Sequence, residues 1–379
     1  MFPPIRTGTS FYARDVASAL QQRGHEVRVV TLRSAEGATD AFPFDVDRMP
    51  TLRRSIPGLF KHLTVSSLFP GNYAHVVGRL RREPADVIFL VNHYLDIAFV
   101  AVAAARVTRT PLVCSIHTQL QATSPLRQRL FTTFDRLICG RLIFPSCARL
   151  IATDCEINRY LVEVHGARVR DKIAIVPFGV GAATSRVAHD YRLHDQLVGI
   201  GAVIEQRNFL TSLRVFRMLL DRFPRLRFKI LGHVYYAAAP ALARELGIAD
   251  RVEFTGELTQ AQVFEETSRS DVYMGLFSGH YTGLGTAALE SMLIGVPAVA
   301  NVPPGLFGEP PLVDMQDYVR ADTNDLPAVT ARVARLLESQ ELRERIGAGG
   351  RAYVARNLGW DGIARSLEGL FAELPKVSR

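Results

Sequence analysis

The residues with the clearest chemical potential lie between positions 274 and 301, where an apolar strand leads through a glycine loop into a helix predicted over 284–294. The first turn of a helix has N–H groups without acceptors and carries the positive end of the helix dipole, so it can bind an anion. Glu290 lies four residues after Thr286 and should face the same side of the helix, about one turn from these amides. The amides concerned belong to Gly283, Leu284, Gly285 and Thr286. A generic strand, turn and helix with a solvated glutamate would carry the same local pattern.

Strands and helices alternate along the whole chain, which predicts parallel sheets covered by helices on both faces. A turn into a strand is expected at residues 24–31, further apolar strands near residues 86–91, 111–116, 149–153 and 172–177, and a second alternation starts at residue 197. His117 ends one of these strands, at the carboxyl edge where ligands bind in such sheets. A histidine held by the local backbone is the plainer alternative.

A change of composition near residues 178–195, with glycine, serine and scattered charge, indicates a linker between two domains. We therefore predict doubly wound α/β domains over 1–180 and 181–358. Residues 359–379 are expected to form a last amphipathic helix that packs back toward the first domain. The 379 residues, 48% of them hydrophobic, suffice for two cores.

The composition excludes several classes of protein. No run of about 18 apolar residues could span a membrane, and no charged and apolar leader precedes the first helix, so a cytoplasmic protein is expected. Cys114, Cys139, Cys147 and Cys155 lie in apolar surroundings without a C-x-x-C pair, which indicates buried thiols and neither zinc nor disulfides. No metal cluster of recognisable spacing occurs, so no metal ion is expected.

Positive charge is concentrated in the first half of the chain, because residues 1–180 carry a net +9 from 23 basic and 14 acidic side chains. Residues 48–82 contain no acidic residue. Their mixture of basic and apolar side chains is typical of a surface that rests on anionic lipid, and an ordinary solvated loop and helix is the alternative. Nucleic acid is not expected as a partner, because no recognition motif accompanies the charge. The basic residues of this segment are Arg48, Arg53, Arg54, Lys61, Arg79, Arg81 and Arg82.

Four stretches resemble motifs of the GT-B glycosyltransferases of the family 4 type. Residues 282–291, TGLGTAALES, are similar to the E-G-F-G-x-x-x-x-E-A motif, with Thr282 at its first glutamate and Glu290 at its second. Residues 201–208, GAVIEQRN, resemble G-R-x-x-x-x-K-N, and residues 173–180, IAIVPFGV, resemble V-I-P-N-G-V-D. Residues 3–9 are similar to a P-P-x-x-G-G loop. The resemblance covers nearly the whole chain and implies the GT-B fold, in which two doubly wound Rossmann-like domains face each other across a cleft.

This resemblance implies which residues bind the phosphates of a nucleotide-sugar donor. Arg207 stands where the family has a phosphate-binding lysine, with Asn208 beside it, although a solvated arginine at a helix start remains the alternative. Ala202 replaces the arginine of the same motif, so one phosphate contact is missing. The loop of Gly8 and Thr9 could supply neutral amide donors in compensation.

The resemblance also assigns the sugar contacts. Glu290 would accept the ribose hydroxyls, and His117 would line the donor sugar and phosphate. Thr282 occupies the place of a glutamate that hydrogen-bonds the donor sugar, and its hydroxyl brings no charge. This exchange predicts an altered donor preference or slower turnover. The family's leading apolar strand has no counterpart ahead of Pro3, which we expect to reflect a start codon recorded too late or, less favoured, a sheet with one strand fewer.

The function implied is that of a retaining glycosyltransferase, which moves a hexose from a UDP- or GDP-linked donor, a substrate and not a cofactor, to a lipid-linked or glycan acceptor. It would act in bacterial surface polysaccharide or glycolipid synthesis at the cytoplasmic membrane face. Two alternatives stay open: a non-catalytic GT-B partner subunit of a glycan-assembly complex, and a sugar-nucleotide epimerase or hydrolase on the same scaffold.

Overall fold

The structure is a computed structural model of the 379-residue chain. It describes residues 2–3, 8–33, 41–56, 60–120, 124–181, 187–277, 284–303 and 305–375, without the side chains of residues 53–56 and 60–63. The chain divides into two compact units. Unit 1 contains Met1–Gly179 and Trp360–Arg379, and unit 2 contains Val180–Gly359.

Unit 1 alternates strands and helices after a first helix, as the apolar runs predict. Its helices are α1 (Gly8–Gln22), α2 (Pro70–Arg82), α3 (Ile97–Thr108), α4 (Pro125–Phe134), a π-helix (Asp135–Ile143), α5 (Phe144–Ser146), α6 (Cys155–His165), α7 (Ala167–Arg170) and α14 (Trp360–Ala372). Its strands are β1 (Arg28–Leu32), β2 (Asp45–Met49), β3 (Leu52–Ile56), β4 (Phe60–Val65), β5 (Ile88–Val91), β6 (Leu112–Ile116), β7 (Arg149–Ala152) and β8 (Ile173–Ile175).

Three sheets form from these strands. The largest is parallel, in the order β5-β6-β7-β8, while β1 and β2 form a separate parallel pair and β3 and β4 an antiparallel hairpin. Among the described residues no strand pairs with the second edge of β1 or of β5. The sheet that the alternation predicts for this unit is therefore divided into two in the described part of the chain.

The large sheet of unit 1 is covered on both faces, because neighbouring residues of a strand point to opposite sides. Val113 and Ile151 pack in one apolar cluster with residues of α1 and α14. Cys114 and Leu150 pack in another with residues of α3, the π-helix and α6. The two clusters explain why these strands are apolar throughout.

The last helix, α14, packs against α1. The Trp360 ring lies so close to Gly179 that a Cβ added there would be 2.3 Å from the indole. At the other end of the contact, Arg23 on the α1 side donates from Nε and Nη2 to the two carboxylate oxygens of Glu368 at 2.7 and 2.8 Å. The final helix thus belongs to unit 1.

Unit 2 is a single doubly wound domain. Its six strands form a parallel sheet in the order β11-β10-β9-β12-β13-β14. The strands are β9 (Gln196–Ile200), β10 (Arg227–Leu231), β11 (Val252–Gly256), β12 (Val272–Gly275), β13 (Ala298–Ala300) and β14 (Val319–Arg320). The helices are a 3₁₀ turn (Glu205–Arg207), α8 (Phe209–Leu220), α9 (Ala238–Glu245), α10 (Gln260–Ser268), α11 (Thr286–Ile294), α12 (Leu326–Glu338) and α13 (Gln340–Asn357).

The strand order of unit 2 reverses between β9 and β12, since β10 and β11 lie to one side of β9 and β12 to β14 lie to the other. In open parallel sheets, ligands bind at the carboxyl ends of the two strands where the order reverses. The fold therefore directs attention to the residues that follow Ile200 and Gly275.

The predicted α/β class with two parallel-sheet domains is confirmed. Thr259 and Gln262 form a capping box at the start of α10. The hairpin of β3 and β4 and the π-helix were not predicted. None of the helices in the described ranges combines the length and the apolar character that crossing a membrane requires.

Candidate functional site

Two glycines shape the carboxyl ends of β9 and β10 in unit 2. Gly201 has φ +121 and Gly232 has φ +151, a backbone region that favours glycine. A Cβ on Gly232 would lie 2.3 Å from the carbonyl oxygen of Gly201, so the two chains approach backbone to backbone. This leaves the strand ends without side chains that could block a ligand.

Arg207 lies directly against this glycine turn. Its Nη1 donates to the carbonyl oxygen of Ile200 at 3.0 Å, and a Cβ on Gly201 would be 2.5 Å from its Cζ. The guanidinium also lies over the ring of Phe277, 5.6 Å from the centroid, in a cation–π contact. The cation is therefore fixed between the ends of β9 and β12, where the strand order reverses.

Asn208 has a positional role. It adopts the left-handed conformation with φ 49, immediately before α8 begins. Its Oδ1 accepts a hydrogen bond from the hydroxyl of Thr211 at 2.9 Å. The residue thus joins the 3₁₀ turn that carries Arg207 to the helix behind it.

The helix predicted from residue 284 begins at Thr286, with Gly285 as its cap residue. Leu284 is buried, Gly285 is half-buried and Thr286 is exposed. Among the described residues, a Cβ added to Gly285 would meet nothing within 4 Å, so no described side chain covers this helix start. Thr282 and Gly283 lie outside the described residues.

Asn301, which sequence reasoning missed, fixes the end of β12 beside this helix start. Its Oδ1 accepts from the backbone N–H of Phe277 at 2.8 Å, and its Nδ2 donates to the Phe277 carbonyl at 2.9 Å. Asn301 directly follows β13, and a polar residue at that strand end was the available signal.

The charges of Glu290 and Arg207 both shift the pKa of one buried side chain, the phenol of Tyr273 in β12. Burial raises the pKa of Tyr273 to about 12, while Arg207 lowers this pKa and Glu290 raises it. Both charged groups are therefore within electrostatic reach of the same phenol. Glu290 is half-buried, and its Oε1 accepts from Nε2 of Gln260 at 3.4 Å.

His117 follows β6 in unit 1 as predicted, but it lies among aromatic rings. Its centroid is 4.3 Å from that of Tyr12 and 5.1 Å from that of Phe178. Nε2 is 2.9 Å from the hydroxyl of Ser115, whereas Nδ1 is buried without a partner. Burial lowers the pKa of His117 to about 3, so the imidazole is neutral at physiological pH.

Asn92 joins two of the predicted residues of unit 1. Asn92 is fully buried and has φ 72. Its Nδ2 donates to Oγ1 of Thr9 at 3.1 Å, and its Oδ1 accepts from the backbone N–H of His117 at 3.3 Å. The prediction of a loop at Gly8 and Thr9 is wrong, since both belong to the first turn of α1, where amides are also without helical acceptors. A polar residue after β5 was the signal for Asn92.

The basic segment 48–82 is acid-free in sequence but not in space. Arg79 of α2 pairs with Asp45 and Asp47, which β2 places beside it. Arg48 donates from Nη2 to the carbonyl of Pro3 at 2.7 Å. These two arginines are therefore engaged within the protein.

Unit 2 offers a fixed guanidinium, a helix start and a carboxylate, which together suit phosphates and hydroxyls. Unit 1 offers a neutral imidazole and a threonine hydroxyl joined by Asn92. In the ranges that the structure describes, two clusters of histidine, cysteine and acidic side chains could hold a metal ion, and neither contains a predicted site residue.

Two family models match the chain. Residues 6–183 match Glycosyltransferase Family 4, and residues 194–353 match Glycosyl transferases group 1. The two matches follow each other along the chain and together span most of it.

Individual relatives agree with these models. The D-inositol 3-phosphate glycosyltransferase of Thermomonospora curvata is 27% identical over an alignment of 396 positions, which covers 95% of this chain and 89% of that protein. The lipopolysaccharide core biosynthesis glycosyltransferase LpsD of Rhizobium meliloti is 32% identical over 154 residues, 41% of this chain and 42% of that protein. The crystal structure of Anabaena HepE in complex with UDP-glucose has a TM-score of 0.71 at 13% identity and covers 99% of this chain and 98% of its own. The chain is therefore an enzyme of the GT-B glycosyltransferases, with the two domains of the Glycosyltransferase Family 4 and Glycosyl transferases group 1 families.

Proposed function

We propose that the protein is a retaining hexosyltransferase, which uses a UDP- or GDP-linked hexose and a lipid-linked or glycan acceptor in bacterial surface polysaccharide or glycolipid synthesis. The observation that carries the proposal is the position of Arg207, held over Phe277 where the strand order of unit 2 reverses, together with Glu290 in α11, the helix that follows β12. A cation and a carboxylate at this edge match the two ends of a nucleoside diphosphate, its phosphates and its ribose.

Breaking the glycosidic bond of a nucleotide sugar leaves negative charge on the diphosphate. In this proposal the Arg207 guanidinium and the amides at the start of α11 bind that diphosphate and stabilise the charge as it develops. A charge-assisted hydrogen bond of this kind contributes about 1.5–3 kcal/mol. Glu290 accepts the ribose hydroxyls and so fixes the nucleoside relative to the phosphates.

Two departures from the family motif bear on rate and donor choice. Ala202 contributes no cation beside Arg207, and Thr282 offers the donor sugar a hydroxyl in place of a carboxylate. We expect weaker diphosphate stabilisation and a donor preference set by neutral hydrogen bonds. Restoring the cation with Ala202→Arg should increase nucleotide affinity.

The retaining mechanism in the proposal is front-face attack, with the leaving phosphate as the base. Glycoside hydrolases instead use two carboxylates that flank the sugar. Glu290 is the single carboxylate among the residues assigned to the donor, and His117 is neutral. The chemistry proposed therefore draws on positioning and on the charge of the donor.

The acceptor class is supported by what the relatives are called. One is named for an inositol phosphate and another for the lipopolysaccharide core, both of which present several hydroxyl groups. UDP-glucose is bound in the similar HepE structure. Action at the inner membrane surface, through segment 48–82, belongs to the same proposal.

The test is a transfer assay with product analysis. The purified protein is incubated with UDP- and GDP-hexoses, each with inositol phosphate, lipopolysaccharide core fragments or a lipid-linked glycan as acceptor. We expect one donor class to give a product whose anomeric configuration, measured by NMR coupling constants, equals that of the donor. An inverted product would refute the retaining mechanism, and no transfer from any donor would refute the proposed reaction.

A further inference from the structure

A second cluster of chemically active side chains lies in the core of unit 1. His93 follows β5 by two residues, and Asp135 and Cys139 lie four residues apart in the π-helix. One ligand-type atom from each, a ring nitrogen, a carboxylate oxygen and the thiol sulfur, lies within 4.8 Å of the other two. All three side chains are buried, with residue exposures of 0%, 4% and 0%.

Two polar atoms of this cluster have no hydrogen-bond partner among the described residues. They are Nδ1 and Nε2 of His93, both buried, whereas Oδ1 of Asp135 pairs with Nε2 of His165. A neutral imidazole has one N–H and one acceptor nitrogen, so an isolated His93 would leave both unsatisfied in the core, which is costly. Unsatisfied His93 nitrogens beside a carboxylate and a thiol point to a missing partner that these side chains share.

His165, the last residue of α6, lies outside this group of three but pairs with Asp135 and so is the nearest candidate for a fourth donor. Its Nε2 is 3.3 Å from Oδ1 of Asp135, and its ring packs on Gly140, where a Cβ would be 2.7 Å from Nδ1. Two ligands of one tetrahedral zinc ion, each at about 2.0–2.1 Å from the metal, are themselves about 3.3 Å apart. The other oxygen of Asp135 accepts a hydrogen bond from the Tyr160 hydroxyl, which holds the carboxylate in orientation.

We propose that His93, Asp135, Cys139 and His165 bind one zinc ion in the core of unit 1. Two imidazoles, one carboxylate and one thiolate form a borderline-soft donor set in the number that structural zinc prefers. The carboxylate and the thiolate balance the charge of Zn²⁺, so the occupied site is neutral, as a buried site requires. Binding releases the thiol proton of Cys139 and draws the four donors inward.

The ion would tie together the end of β5, the π-helix and the end of α6. His93 is the neighbour of Asn92, which holds Thr9 and His117. The zinc site therefore supports the backbone that positions the donor-sugar residues of unit 1 without touching the substrate. A π-helix inside an α-helical run is frequently found at such functional positions.

The test is zinc binding by the full-length protein. Chelator-treated protein is given ZnCl₂, freed of excess metal by buffer exchange and analysed by mass spectrometry for zinc per chain. We expect about one zinc per chain and a higher melting temperature, because an ion that binds only the folded state stabilises it. Less than about one tenth of an equivalent in the wild type would refute the site.

Variants locate the ion. His93→Ala and Cys139→Ala should lower zinc affinity at least about tenfold, and Tyr160→Phe about tenfold, as loss of a supporting hydrogen bond does. The matched control is Cys114→Ala, which removes another fully buried thiol of the same apolar cluster and should keep full binding. Unchanged binding in both ligand variants, or loss only in the control, would contradict the assignment.

Cobalt substitution keeps the proposal testable if a ligand variant fails to fold. Co²⁺ bound to the wild type should show the near-ultraviolet absorption of a cobalt–thiolate bond and the strong visible bands of a tetrahedral site. The same spectrum is expected for Cys114→Ala. A wild-type spectrum without thiolate absorption, or with weak octahedral bands, would overturn the proposal.

Discussion

The predicted donor-binding residues of units 1 and 2 differ in how they present chemistry. In unit 2, Arg207 and Glu290 are half-buried charged groups. Arg207 is held by the Ile200 carbonyl and the Phe277 ring, and Glu290 accepts a hydrogen bond from Gln260. In unit 1, His117 is a neutral imidazole enclosed by Tyr12 and Phe178. We therefore expect the residues of unit 2 to bind a charged ligand group and those of unit 1 to contact a neutral one.

This contrast assigns separate tasks to the two regions. Charged groups provide affinity for a diphosphate, which carries most of the charge of a sugar nucleotide. A half-buried, uncharged imidazole contributes little to that affinity but can select and orient a neutral sugar. Variants in unit 2 should therefore change nucleotide binding, and variants in unit 1 should change transfer.

The largest expected effect concerns the cation of unit 2. Arg207→Ala should weaken binding of the nucleoside diphosphate about 10- to 100-fold, the equivalent of one lost charge-assisted bond. Calorimetric titration measures it, and Arg217→Ala in α8, whose guanidinium pairs with Asp221, is the control. Equal nucleotide affinity of Arg207→Ala and Arg217→Ala would contradict this expectation, because unit 2 would then not bind the diphosphate through charge.

A packing variant tests the enclosed character of unit 1. Gly179→Ala places a Cβ 2.3 Å from the indole of Trp360 and should lower the free energy of unfolding by about 1–3 kcal/mol, measured by denaturant titration. Gly181→Ala is the control, since a Cβ there meets nothing within 4 Å. Equal free energies of unfolding for Gly179→Ala and Gly181→Ala would show that the contact between Gly179 and Trp360 tolerates an added methyl group.

A variant of His117 tests whether the two units have different roles in binding and transfer. His117→Asn should reduce the rate of hexose transfer about tenfold, the value of one hydrogen bond, while nucleotide affinity changes less than about twofold. Steady-state transfer rates and calorimetry measure the two quantities on the same preparation. A parallel loss of both would mean that His117 binds the phosphates and that the two regions share one task.

The smallest expected effect concerns the ion pairs, within unit 1, between α14 and the residues that follow α1. Hydrogen bonds from Arg23 and His25 lower the pKa of Glu368 from 4.5 to about 2. A carboxylate whose pKa is lower in the folded than in the unfolded protein stabilises the fold at pH values above its unfolded pKa. This stabilisation is lost as the pH falls through the folded pKa. The stability difference between wild type and Glu368→Gln should thus shrink from pH 4.5 to pH 2, with Glu373→Gln as control; a constant difference over this range would contradict the linkage.

Sequence patterns predicted what depends on short stretches of chain. The alternation of strands and helices in unit 2 and the motifs at residues 201–208 and 282–291 are each encoded in short stretches, so periodicity and glycine spacing reveal them. The α/β class follows from the same alternation. Arg207 and Glu290 were named because each lies inside such a motif.

Contacts between distant positions could not be predicted in the same way. Asn92 acts by joining Thr9 to His117, and the proposed zinc ligands span residues 93 to 165 without a recognisable spacing. Arg79 was assigned to a free basic surface because Asp45 and Asp47 precede the acid-free segment in sequence and reach it only through β2. Periodicity reports which face of an element is buried, and it does not report which side chains meet there.

The most direct test of the account is a calorimetric titration of the wild type and Glu290→Ala against UDP, GDP, ADP and their hexose conjugates. The account predicts that the wild type binds UDP or GDP and its sugar conjugate, and that Glu290→Ala loses about tenfold or more of that affinity through the ribose contact. Failure of the wild type to bind any of these nucleotides, or equal binding by Glu290→Ala, would contradict it.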